Sequence, residues 1–339
     1  MQYRRVIIPH PGGPEVLKVA EEPVPEPGQY QVGIRVLAAG VARADIMMRR
    51  GLHPGSASSY PYTPGYDIVG IVDKLGANAS KFKLGEVVAA LIEVGGYTEY
   101  VCISEEDLVP VPQGLDPAEV VCLVLNHITA YQMLHRMAEV KAGESVLFHA
   151  AASGVGTAQL QLGKLAGLTM YGTASKQKHT VLKDLGAVPI DYQREDFVKC
   201  IHKLTKGGME AVFDPVGGSH IWRSFRLLKN SGRLVAYGEM AITGPDKPRK
   251  SEVFLHHVLP RWLNYFPGGR KVGWYEVFEE KQDHPDWYHD DLGTLIDLLV
   301  QGKIIPIIAE RIPLAEARRA HELLEASGVS GKIVLMCSG

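Results

Sequence analysis

The spacing of apolar positions changes part-way along this chain. Up to about residue 120 they come as short runs. Gln31-Val-Gly-Ile-Arg-Val-Leu37 alternates apolar with polar, as a half-buried strand does, whereas Ile68-Val-Gly-Ile-Val72 and Glu86-Val-Val-Ala-Ala-Leu-Ile92 read as buried strands. Proline and glycine clusters separate them at Pro23–Gly28, Pro61–Gly65 and Gly95-Gly96. From Ser145 onward the rhythm differs. Apolar runs predict strands at 145–149, 169–174, 188–191, 210–214 and 232–237, and the stretches between them predict helices at 155–166, 176–185, 194–205 and 219–229. Strands and helices repeating at this spacing predict a doubly wound parallel sheet. Leu292–Val300 and Leu314–Ala326 are amphipathic helices, and Gly331-Lys-Ile-Val-Leu335 is a closing strand able to rejoin the first domain.

Composition narrows the class. A length of 339 residues allows two domains, and 46% hydrophobic residues with 36 glycines suit a folded α/β chain rich in turns. A formal net charge of -2 gives no electrostatic footing for nucleic acid or for an anionic membrane. The most apolar stretch, Val120–Leu125, is broken by Asn126 and His127, well short of a membrane span. The apolar run after Arg5 is too short for a secretion signal. Cys102, Cys122, Cys200 and Cys337 stand apart without C-x-x-C spacing, as free thiols in a reducing compartment do. A soluble cytoplasmic protein is expected.

Candidate chemistry begins at His149-Ala-Ala-Ala-Ser-Gly-Val-Gly156, a small-residue turn between a strand and a helix start. Ala151, Ser153 and Gly156 take the three glycine positions of G-x-G-x-x-G, and only the last, which lets helix and strand pack closely, is kept. Such a turn can seat a pyrophosphate on backbone N–H groups at the positive end of a helix dipole; a purely structural turn is the competing reading. An NAD site places a carboxylate at the end of the second strand. Here that place reads Gly172-Thr-Ala-Ser-Lys-Gln-Lys-His179. A hydroxyl from Ser175 and the charge of Lys178 suit a 2′-phosphate, so NADPH is favoured over NADH. A solvated helix start would leave lysines opposing the helix dipole.

Together these segments resemble the medium-chain dehydrogenase/reductase superfamily, in its zinc-free quinone oxidoreductase branch with zeta-crystallin-like, VAT-1-like and enoyl reductase relatives. The resemblance rests on Gly40–Asp45 through Arg50-Gly51, Pro64-Gly-Tyr-Asp67 with Gly70, Gly95–Val101, Thr129-Ala-Tyr131 and Ala150–Gly156. It continues through Leu185-Gly-Ala187, Asp191-Tyr192, Phe213–Gly218, Gly232–Gly238 and Gly331-Lys-Ile-Val334, nearly the whole chain in order. It implies a GroES-like, mostly β substrate domain over residues 1–123 and 280–339, a Rossmann NADPH-binding domain over 124–279, and an active cleft between them.

By the same resemblance, Ser153, Gly154 and Val155 touch the pyrophosphate. Thr173 belongs to the cofactor-binding set, and Ser175, Lys178 and Tyr192 surround the 2′-phosphate. Thr129 and Tyr131 lie on the nicotinamide side, while Val216, Tyr237 and Gly238 line the cofactor. Zinc-using relatives carry Cys where Ala42 stands and His-Glu where Tyr66-Asp67 stand, so no metal is expected. Without a Lewis acid, reduction of a quinone or an electron-poor C=C is easier than alcohol chemistry, because charge delocalises onto an oxygen that needs only hydrogen-bond donors. Ala42, Asp45, Tyr60 and Tyr66 are the candidate substrate pocket, with Asp45 read as structural or cofactor-positioning. Many relatives have Asn at position 42 and Tyr at position 47; Ala42 and Met47 remove those polar groups.

The expected activity is hydride transfer from NADPH to a small electrophilic acceptor, a quinone or an α,β-unsaturated carbonyl. An enoyl-thioester reductase and a non-catalytic VAT-1-like or crystallin-like cofactor-binding protein are the alternatives. The resemblance also implies a homodimer. Gln282–Asp291, rich in His and Asp, reads as a solvated helix-entry loop rather than a metal site. Trp262, Phe266, Trp274 and Tyr275 are either pocket-shaping or core residues.

Overall fold

In the computed structural model, which describes residues 2–52, 60–205, 207–240 and 250–337, the chain forms two units. One comprises residues 1–126 with 292–339, the other 127–291.

The first unit is organised on the strand Gln31–Val41, whose alternating residues Val32, Ile34 and Val36 are fully buried. Asp67–Leu75 pairs antiparallel along most of its length. On its other side Tyr100–Ser104 takes residues 31–35 and the C-terminal strand Lys332–Met336 takes residues 38–41, both antiparallel. Ile308–Pro313 then adds parallel to Lys332–Met336, and Val87–Leu91 and Leu108–Val111 extend the opposite end. The closing strand therefore does rejoin the first domain. A separate antiparallel ribbon joins Gln2–Ile7 to Lys18–Pro23.

The second unit is a six-stranded sheet, parallel throughout, in the spatial order 187–191, 169–174, 145–148, 209–214, 228–236, 271–274. Numbered along the chain this is 3-2-1-4-5-6, the order of dinucleotide-binding sheets, whose switch point lies between the first and fourth strands. The predicted strands are present, with one shift of element type. Leu227-Leu228 continues the apolar pattern of the preceding helix, so the sequence predicts helix to residue 229. The helix instead ends at Phe225 and the strand begins at Leu228, because both leucines are buried in the sheet core. Helix Phe197–Leu204 starts later than the predicted 194, where Asp196 Oδ1 accepts the N–H groups of Val198 and Lys199.

Gly156 sets how closely the helix Gly154–Leu165 meets the first strand. A β-carbon there would lie 2.5 Å from the Ala150 carbonyl oxygen and 2.6 Å from Ala151 Cα. Gly156→Ala should cost about 1–3 kcal/mol through this overlap with backbone. Urea unfolding should show a lower midpoint at unchanged slope; an unshifted midpoint would refute the close approach.

Candidate active site

The turn that begins the helix Gly154–Leu165 gathers the donors an anion needs. Ala150 adopts a left-handed φ of 51°, a conformation a β-carbon disfavours. Ser153 then caps the helix, its Oγ accepting the Gly156 N–H at 3.0 Å, and it is exposed. The N–H groups of Gly154 and Val155 fall in the first turn, beyond reach of any intrahelical carbonyl. Backbone donors, an exposed hydroxyl and the helix dipole thus converge where the sequence places the pyrophosphate.

The second strand ends at Thr173-Ala174. Thr173 is buried and does not face outward: its Oγ1 accepts the Ala150 N–H at 3.3 Å and lies 3.1 Å from His149 Nδ1. Ser175 heads the short turn Lys176–Lys178, and its side chain makes no capping bond. Lys178 is half-buried, and burial lowers the pKa of its ammonium. Tyr192 follows the third strand and is 57% exposed. At the fourth and fifth strand ends, Val216 and Gly238 are half-buried, and a β-carbon on Gly238 would meet the Pro215 carbonyl oxygen at 2.6 Å. Tyr237 reaches Gln159 Oε1 at 3.5 Å. Thr129 is buried and Tyr131 half-buried, its ring 4.6 Å from that of His135. Residues present on this unit fit a phosphorylated dinucleotide.

Sequence reasoning did not single out the polar cluster behind this edge: His149, Asp214, His220 and Ser224. His149 heads the quoted turn and Asp214 lies in Phe213–Gly218, so both stood inside motifs. Their signal along the chain is a His and an Asp at the C-terminal ends of two apolar strand runs, 145–149 and 210–214.

In the first unit, Asp45 is a brace. Its buried carboxylate accepts the N–H groups of Ala42 (2.8 Å) and Gly65 (3.1 Å) and the Tyr97 hydroxyl (3.0 Å). Burial pushes its pKa up to about 7, against the Ala42 N–H, the Lys332 charge and the Tyr97 hydroxyl, which lower it. Tyr97 also meets His321 Nε2 at 3.2 Å, and Arg49 approaches His321 Nδ1 at 3.1 Å and Glu325 at 2.6 Å. Because Arg49 only donates, His321 accepts on Nδ1 and stays neutral; burial, with Arg49 alongside, lowers its pKa to about 3. Tyr66 is buried, and half-buried Tyr60 sits with its ring 5.3 Å from that of Tyr62. Asp67, next to Tyr66, is buried and ion-paired with Lys332 at 2.7 Å. A zinc ion does not fit here: Ala42 carries no ligand atom, and Asp67 is committed to the lysine.

Two further expectations are settled by burial. Gln282–Asp291 is not a solvated loop. It lies in helices Val277–Asp283 and Pro285–Val300, with Tyr288 and Asp291 buried. Asp291 accepts from Arg136 at 2.8 Å and Gln132 at 3.1 Å, which removes it from solvent. Of the late aromatics, Tyr275 is buried and donates to Gln132 Oε1 at 2.8 Å, while Trp262 (66%) and Phe266 (45%) are exposed. All four cysteines are free thiols. No described helix is long and apolar enough to cross a membrane.

A parallel sheet in dinucleotide-binding order, with a capped helix start at its carboxyl edge, defines an α/β protein of the dinucleotide-binding type. Residues 28–113 match the family described as alcohol dehydrogenase GroES-like domain, and residues 185–335 match the one described as zinc-binding dehydrogenase. The chain is 30% identical over 333 residues to human quinone oxidoreductase, covering 96% of this chain and 95% of that one. It is 38% identical over 340 residues to the mouse synaptic vesicle membrane protein VAT-1 homolog, covering 96% of this chain and 81% of that protein. Against the rat VAT-1 homolog the similarity spans 261 residues, 63% of that protein's length. The structure of Escherichia coli quinone oxidoreductase complexed with NADPH superposes with a TM-score of 0.87 at 27% identity, covering 98% of this chain and 99% of that one. The chain belongs to the medium-chain dehydrogenase/reductase superfamily, in its zinc-free quinone oxidoreductase and VAT-1-like branch.

Two outcomes test the first unit's buried charges. Lys332→Met strands the Asp67 carboxylate and should cost about 3–5 kcal/mol of unfolding free energy; a loss below about 1 kcal/mol would show that the pair is not held dry. The second concerns His321, whose folded pKa lies below its unfolded value. Unfolded chains take up a proton as pH falls below about 6.5, whereas the folded ring stays neutral until about 3. His321 therefore contributes stability above that window that is lost as pH falls through it. The stability gap between wild type and His321→Gln should narrow from pH 7 to pH 4; a constant gap would refute a neutral buried ring.

Proposed function

We propose that this chain is an NADPH-dependent, zinc-independent oxidoreductase whose acceptor is a quinone or an α,β-unsaturated carbonyl compound. The observation that carries the reading is the pairing of two features on one sheet edge: the Ser153–Gly156 helix start and the Ser175/Lys178 corner one strand away. Residues 124–279 act as the coenzyme-binding domain. Ser153, Gly154 and Val155 hold the diphosphate on backbone N–H groups. Ser175 donates to the 2′-phosphate, Lys178 supplies charge and Tyr192 flanks it. Thr129 and Tyr131 lie on the nicotinamide side, and Val216, Tyr237 and Gly238 line the coenzyme. Bound NADPH supplies the hydride.

Ala42, Tyr60 and Tyr66 shape the acceptor pocket, and Asp45 fixes the backbone of Ala42 and Gly65 behind it. With no zinc-ligating set at Ala42 and Asp67 to polarise an alcohol or ketone, the pocket's work is to orient the acceptor by shape and apolar contact. Because Ala42 is a methyl group, the pocket is more apolar than an Asn at that position would make it. The same residue supports a second reading, a VAT-1-like protein that binds coenzyme without turnover. An enoyl thioester is the alternative acceptor. We infer a cytoplasmic homodimer, the state the family resemblance implies.

Lys178→Glu should raise the Kd for NADPH about 10–100-fold and leave that for NADH nearly unchanged. An unchanged preference in titration would refute the 2′-phosphate assignment. Turnover of a naphthoquinone, a small enone and crotonyl-CoA, each with NADPH, should rank the first two above the thioester. Coenzyme binding with no oxidation across that panel would establish the non-catalytic reading instead.

A further inference from the structure

At the switch point of the parallel sheet the first strand runs into His149 and the fourth ends in Asp214, and both side chains are buried. With Thr173, Ser224 and His220 they form a single chain of hydrogen bonds whose direction follows from the carboxylate. Asp214 Oδ1 accepts the N–H groups of Val216 (2.8 Å) and Gly217 (3.2 Å). Its Oδ2 accepts the Ser224 hydroxyl at 2.7 Å and faces His220 Nδ1 at 2.8 Å. A carboxylate only accepts, so His220 carries a proton on Nδ1. The Ser224 hydrogen is committed to Asp214, so the Ser224 oxygen accepts from His149 Nε2 at 3.2 Å. His149 Nδ1 is then left to accept from Thr173 Oγ1 at 3.1 Å, and Thr173 accepts from the Ala150 N–H.

The titration of these groups agrees with that direction. Burial, with His220 alongside, lowers the His149 pKa to about 3 and keeps its ring neutral. Burial alone would raise the Asp214 pKa, but the His220 and His149 rings and the Ser224 hydroxyl outweigh it and hold the carboxyl below its usual range. Each proton has one acceptor, so tautomers and rotamers are set together.

The chain links two turns that lie beyond the paired residues of the first and fourth strands, adding to backbone bonds such as Ala151 N–H to the Thr173 carbonyl at 3.0 Å. One end is Ala150, in the left-handed conformation that opens the anion-seating turn. The other is the Val216-Gly217 backbone beyond the fourth strand. We propose that His149, Asp214, Ser224 and His220 are positioning residues that hold these two turns at the spacing a dinucleotide's diphosphate and nicotinamide ribose require. This rests on the coenzyme reading above and adds the residues that pre-organise the site. Pre-organisation raises affinity by removing the ordering cost from the binding step. Ligand-type atoms of His149, Asp214 and His220 also lie within 4.8 Å of one another, a span open to a metal ion. The hydrogen bonds favour the positioning role, since they already occupy both His149 nitrogens, His220 Nδ1 and Asp214 Oδ2.

The test titrates the full chain with NADPH and with adenosine 2′,5′-bisphosphate, which fills only the adenosine half of the site. Ser224→Ala severs the chain in the middle. His220→Ala, at the half-exposed end, releases one donor from Asp214 and threatens the fold less. In both variants the Kd for NADPH should rise about tenfold while that for the bisphosphate moves less than about twofold. Equal losses for both ligands, or no loss for either, overturn the positioning role. Wild-type protein that takes up neither ligand overturns the coenzyme reading itself, and this inference with it. Saturable Zn²⁺ binding by wild type that Asp214→Asn abolishes overturns the hydrogen-bonded assignment in favour of a metal site.

Discussion

No side chain fits between the helix backbone at Gly156 and the Ala150-Ala151 turn. That single approach aims the helix N-terminus over the carboxyl edge of the sheet, beside the switch point. Ala150 accepts an unfavourable φ to make the turn, and Ser153 closes it by capping the helix. The free N–H groups, the dipole and the hydroxyl-and-lysine corner follow from this placement, because parallel register puts the end of the second strand next to the end of the first. A wider helix–strand spacing would leave the same residues without a common point to face.

The second theme is how buried charge is used. Asp45 stands among the expected pocket residues, but three donors surround it, and one of them ties it to Tyr97, His321 and Arg49. Asp67 is neutralised by Lys332 from the closing strand. In each case a carboxylate fixes backbone or joins distant segments, and the cost of breaking the arrangement is larger than its net contribution to stability. The absence of a ligating side chain at Ala42 and the commitment of Asp67 to Lys332 therefore point the same way: this place does not hold a metal ion.

Much of this protein was legible along the chain, for physical reasons that are local. A period of two gives Gln31–Leu37 its strand, alternation of strand and helix gives a parallel sheet, and small residues at 150–156 mark the phosphate turn. Absence of a carboxylate between Gly172 and His179, with Ser175 and Lys178 in its place, is likewise a local fact. Only the tertiary structure could decide the rest. Leu227-Leu228 satisfies helix and strand patterns equally, and burial against the sheet chose between them. Asp291 reads as solvated along the chain because its partners, Arg136 and Gln132, lie about 150 residues earlier. Thr173 faces inward and Asp45 is enclosed because hydrogen-bond partners are assigned by folded geometry, which spacing along the chain does not carry.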